Sequence, residues 1–221
     1  MCWTKIITQK IIWQGLLVAF LVVGLGVPSA FSIDVELTLE QAKQIMASAR
    51  GTMEKASSEE EILAVIIAAD KKFRIGDDPE TKPCGSSAIL RTKVFRLEFF
   101  ARLEATTSRG QKRAVRMPES KVEEILKIPN LEMEIGLCGQ EEFFAEGANV
   151  ALQQGSYNIM PTDKGKPSRG RKIPESEMDF VSRFSVLFSY QDFDPQALSK
   201  IVIFFPDGKL ISLDADLSKI K

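Results

Sequence analysis

The chain has 221 residues, 29 basic and 30 acidic, with three cysteines and no histidine. Without an imidazole, Ser-His-Asp and Cys-His catalysis are excluded, as are His-ligated zinc, copper and non-haem iron sites. The near balance of charge argues against wholesale attraction to nucleic acid or membrane, and a hydrophobic content of 44% is enough for a packed core.

Lys5 and Lys10 precede an almost unbroken apolar run from Ile11 to Val27, and Pro28, Ser29, Ala30 and Ser32 follow. This pattern predicts that residues 1–32 are a secretory signal peptide, cleaved after Ser32, or else after Ser29 or Ala30. The protein is then exported, either periplasmic or secreted. The alternative is an inner-membrane anchor through residues 11–27, a run at the short end of the ~17–25 residues that cross a bilayer. Cleavage removes Cys2, Trp3, Trp13 and both N-terminal lysines, leaving 27 basic residues against 30 acidic. Cys84 and Cys138 remain, too few for structural zinc or an iron–sulfur cluster. In an oxidising compartment such a pair is expected to form a disulfide, although two free thiols are the other reading.

Residues 33–85 read as a helical segment and linker. Leu39, Ala42, Met46, Ala49 and Met53 recur at helical spacing behind Thr38, a candidate N-cap. A second helix starts at Ser57–Ser58, where Ser57 with Glu60 or Ser58 with Glu61 makes a capping box, and carries Ile62, Val65, Ile66, Ala69 and Phe73. The two are either a hairpin or one bent helix. Gly76–Gly85, with Pro79 and Pro83, is a linker or long loop.

Residues 86–221 read as a β-sandwich domain. Phe95, Leu97, Phe99, Ala101 and Leu103 alternate with Arg96, Glu98, Phe100, Arg102 and Glu104, which predicts a long half-buried strand. Helix competes there, because Phe95, Phe99 and Leu103 also fall four apart. A short helix is expected at Ser120–Lys127, with Ser120 and Glu123 as its capping box. Strands follow at Leu131–Leu137, Val150–Leu152, Tyr157–Ile159 and Phe184–Tyr190, and Ile201–Phe205 reads as a central strand. Pro206-Asp207-Gly208-Lys209 then predicts a hairpin into Leu210–Leu217, because Asp and Gly both tolerate positive φ. The expected fold class is α+β, mainly β: an antiparallel sandwich of immunoglobulin-like look behind an N-terminal helical segment, with an antiparallel barrel as the alternative.

Two basic segments are candidate anion binders: Arg109, Lys112, Arg113 and Arg116, and Lys164, Lys166, Arg169, Arg171 and Lys172. Brought to one end of the fold, they would meet phospholipid head groups or acidic envelope polymers, whereas apart they are solvated loops. No aromatic interleaves with these charges, which weighs against single-stranded nucleic acid. The pairs Asp192 with Asp194 and Asp214 with Asp216 match no calcium loop. No catalytic residue, cofactor or metal site is expected. The functional expectation is a non-enzymatic binding or assembly module of the cell envelope. Its partner is an unnamed protein or envelope component, with no nucleic acid, and the membrane is touched only through an uncleaved signal segment. The rivals are a carboxylate-based hydrolase acting on an envelope glycan and a membrane-tethered scaffold.

Overall fold

The computed structural model describes residues 35–173 and 180–220. The expected signal segment, residues 1–32, lies outside the described residues. In chain order the elements are α1 (Leu39–Lys55), α2 (Glu59–Lys72), β1 (Arg74–Gly76), β2 (Ser87–Arg91), α3 (Lys93–Gln111) and α4 (Glu119–Leu126). There follow β3 (Asn130–Gly139), β4 (Asn149–Gln154), β5 (Tyr157–Ile159), β6 (Asp163–Lys164), β7 (Arg171–Lys172), β8 (Phe180–Ser189), β9 (Leu198–Phe204) and β10 (Leu210–Asp216), closed by a 3-10 turn at Leu217–Lys219.

All strand pairs are antiparallel and fall into two sheets. The first runs β1-β2-β3-β8-β6, with β7 also on β8; the second runs β10-β9-β4-β5. Alternation in β3 and β8 sends Leu131, Met133, Ile135, Phe184, Val186 and Phe188 to one face, where they join Val150, Leu152, Ile201, Ile203 and Leu213 of the second sheet in a single core. Among the described residues helix covers about 34% and strand about 31%, so the fold there is α+β without the expected β majority. The hairpin before β10 is present: the Phe205 N–H bonds the Lys209 carbonyl across the turn. Within this turn Gly208 alone takes positive φ, at +87°, while the Asp207 carboxylate accepts from the Lys209 N–H.

The largest correction is α3, which occupies the expected strand around Phe95–Leu103. Thr92 caps it, its hydroxyl accepting from the Phe95 N–H. Phe95, Phe99 and Leu103 form one i, i+4 row, and Leu97, Ala101 and Ala105 form another, offset by two residues. Two positions turn an α-helix through about 200°, so the rows point to opposite sides. Interleaved, they imitate the period of a strand. Leu97 and Ala101 are fully buried against Ala42 and Met46 of α1 and Val122 and Ile125 of α4, forming a second core. Glu104, 5% exposed, locks this cluster: it accepts from Arg50 of α1 and from the Met117 N–H before α4.

The caps behave unevenly. Thr38 and Gln41 make a reciprocal capping box on α1, and the Ser58 hydroxyl caps α2 at Glu61. The box expected at Ser120 is not used; α4 starts one residue earlier behind Pro118, without a side-chain cap. A disulfide joins Cys84, in the loop before β2, to Cys138 of β3 across a Cα–Cα distance of 5.4 Å. This bond is that of an oxidising environment such as export provides. Among the described residues, no helix is long and apolar enough to cross a membrane.

Candidate functional site

The outer face of the first sheet, away from the shared core, is set by the strand register. Arg74, Ile89, Glu134 and Ser185 lie in one cross-strand row, and Arg91, Glu132 and Leu187 in the next. Gly136 stands opposite both Ser87 and Arg183 in a third. Polar outward positions on the central strand of a sheet put carboxylates beside guanidiniums here. Glu132 accepts from Arg91 at 3.2 Å, from the Ser185 hydroxyl at 2.8 Å, and from Arg96 of α3. Glu134 accepts from Arg91 and pairs with Arg183 at 3.5 Å. Burial pushes the Glu132 carboxyl up, but the Ser185 hydroxyl together with Arg91 and Arg96 outweighs it and holds the group below the usual carboxylate range.

This network is short of acceptors. Arg91, Arg96 and Arg183 share Glu132 and Glu134 as their carboxylate partners, Arg74 bonds the Ser87 hydroxyl at 3.3 Å, and among the described residues the buried Nε–H groups of Arg74, Arg91 and Arg96 have no hydrogen-bond partner. A buried donor left without an acceptor costs about 1–3 kcal/mol.

Beside the network lies a groove of about 450 Å³ between α2, the outward row of α3 and the sheet. Its apolar lining is Met53, Ile66, Ile89, Phe95, Phe99 and Leu103; its polar lining is Asp70, Arg91, Arg102, Thr106, Glu134 and Arg183. Phe95 is fixed edge-on to Phe73 at 5.2 Å and stacked with Phe99 at 6.4 Å. The groove is open because α2 buries none of its residues, although its sequence is rich in Ile, Val, Leu and Ala. Leu63 is 56% exposed and Ile66 40%, while Phe99 and Leu103 across the groove are each 48% exposed. Four large apolar side chains thus stand half in water along two neighbouring helices.

Arg102 lines the groove beside Ile66, Phe99 and Leu103. It is only 7% exposed, yet among the described residues its sole side-chain acceptor is Glu98, at 3.4 Å. The other oxygen of Glu98 is held by Lys72 at 2.5 Å. A guanidinium this deep is ordinarily matched by close acceptors.

The two basic segments have separate anchors. Arg109 donates to the carbonyls of Met53 and Ala56 at the end of α1, at 3.1 and 2.6 Å, a helix C-capping role. Arg113 bonds Gln111, Arg116 pairs with Glu54 at 3.9 Å, and Lys112 takes a left-handed turn at the end of α3. In the other segment, Lys164 bonds the Ala148 carbonyl and Asn149, and Arg169 pairs with Glu142. Lys166, Arg171 and Lys172 are exposed. Among the described residues, no hydrogen bond or ion pair joins the two segments, and neither lines the groove. Arg91, Arg102 and Arg183 are not conspicuous in the sequence: Arg102 and Arg183 stand between apolar or serine neighbours, and Arg91 stands between Leu90 and Thr92. The signal was the Phe95, Phe99, Leu103 spacing together with an α2 apolar on more than one side.

Among the described residues, no three Asp, Glu or Cys side chains gather closely enough to hold a metal ion. The groove can hold an apolar body against fixed positive charge. Compared with protein-family models, curated proteins and solved structures, the chain shows no significant match.

Proposed function

We propose that the protein is an exported, non-enzymatic binding module of the cell envelope, and that the groove between α2, α3 and the first sheet holds its ligand. The observation behind this reading is the half-exposed set Ile66, Phe99 and Leu103 lining a concave surface. Ligand sites are concave, mainly apolar and furnished with a few placed polar groups. The disulfide supports the exported part of the reading. The two sheets read as the layers of a sandwich because their inward residues share one core.

The glycan hydrolase is the weaker reading. It needs two uncommitted carboxylates flanking a cleft, and of the two in this groove Glu134 is already engaged by Arg91 and Arg183. The tethered scaffold differs by retaining its N-terminus, so N-terminal sequencing of the native protein separates it from the exported form.

The groove is tested by uptake of a neutral fluorescent dye, Nile red, by the disulfide-bonded protein. One dye per chain is expected, and Phe99→Ser should weaken uptake at least tenfold while leaving thermal stability nearly unchanged, since Phe99 is half exposed. Absent uptake, or uptake indifferent to F99S, overturns the groove.

A further inference from the structure

We propose that the ligand is a single-chain amphiphile with an anionic head group, its tail lying along Ile66, Phe99 and Leu103 and its carboxylate or phosphate meeting Arg102, with Arg183 and Arg91 beside it. This deepens the reading of the groove as the binding site and rests on it.

Three observations carry the assignment. First, Arg102 is more than nine-tenths buried, lines the groove, and has one long bond to a carboxylate that Lys72 already holds. An anionic oxygen in the groove supplies the close acceptor it lacks. Second, the groove itself is lined by three guanidiniums, Arg91, Arg102 and Arg183, against two carboxylates, Asp70 and Glu134. That surplus is positive charge complementary to an anion. Third, the groove's volume of about 450 Å³ is that of a small-molecule site. Asp70 and Glu134 also line it. Glu134 is neutralised by its arginine partners. Asp70 lies on α2, one turn beyond Ile66, so an anionic head belongs on the α3 and sheet side.

The test is displacement of Nile red from the disulfide-bonded protein by four decyl compounds, each below its micelle-forming concentration. Decanoate and decyl phosphate are expected to displace the dye at concentrations at least tenfold below decanol, with decyltrimethylammonium weakest. The better of the two anions identifies the head-group chemistry. Arg102→Gln should erase the anion advantage and Arg102→Lys should retain most of it. Arg183→Gln, at a side chain 57% exposed whose loss does not threaten folding, should narrow the advantage several-fold. Equal displacement by all four compounds overturns the anionic assignment, as does an anion advantage intact in both R102Q and R183Q. In either case F99S-sensitive dye uptake still stands for the groove. Failure of dye uptake itself is the separate failure of the underlying reading.

Discussion

Glu132 shows how one residue serves two structures. It stands on the central strand β3 and is met by Arg91 from β2, Ser185 from β8 and Arg96 from α3, so it ties the sheet to the helix that walls the groove. Its folded-state pKa lies below the usual carboxylate value. The stability it contributes is therefore fully present above the unfolded-state pKa, about 4.3, and is lost as pH falls through the lower folded value. Glu132→Gln is expected to destabilise the protein by about 2 kcal/mol at pH 7, where the ionised carboxylate otherwise matches two guanidiniums. The gap between variant and wild type should close as the pH is lowered below about 4. Urea unfolding of both proteins across that range is the measurement; a gap that does not change with pH removes the charge-based account.

At the scale of elements, α3 organises the molecule. One of its rows is buried in the helical core with α1 and α4, and the other stands over the groove. Glu104 joins Arg50 to the Met117 N–H in that core, and Glu104→Ala should cost about 3 kcal/mol by leaving a largely buried guanidinium without its partner. Calorimetric unfolding checks it; an unchanged melting temperature contradicts the role given to Glu104. The same helix marks where the sequence was legible and where it was not. β3 and β8 each present one buried and one outer face, so their alternation was legible as written; Thr38 and Ser58 declared the starts of α1 and α2. Residues 95–103 misled because two apolar rows four residues apart, offset by two, have the period of a strand. What decides between the readings is tertiary: α1 and α4 stand ready to bury Leu97 and Ala101, and no local signal reports them. The groove was hidden for the same reason, since its arginines come from three separated elements. The basic segments were conspicuous in sequence, yet Arg109 and Lys164 are spent on backbone carbonyls.

At the scale of the whole molecule, the two sheets enclose a core continuous between them, and the disulfide closes a separation of 54 residues onto β3. In the chain-entropy account such a closure is worth about 4 kcal/mol. The scaffold beneath the groove is thus covalently and hydrophobically fixed, while α2, without a single buried residue, is the loosely held wall. A rigid floor with one adaptable wall suits a site that admits a flexible chain and orders around it. The central claim is that ligand enters at this wall and not at the basic segments. It is tested most directly by a nuclear magnetic resonance titration of the isotope-labelled, disulfide-bonded protein with decanoate. The account predicts shifts concentrated at the amides of residues 63–70 and 95–106 and at the Arg102 and Arg183 side chains. Shifts confined to residues 109–116 or 164–172, or no shifts at all, would contradict it.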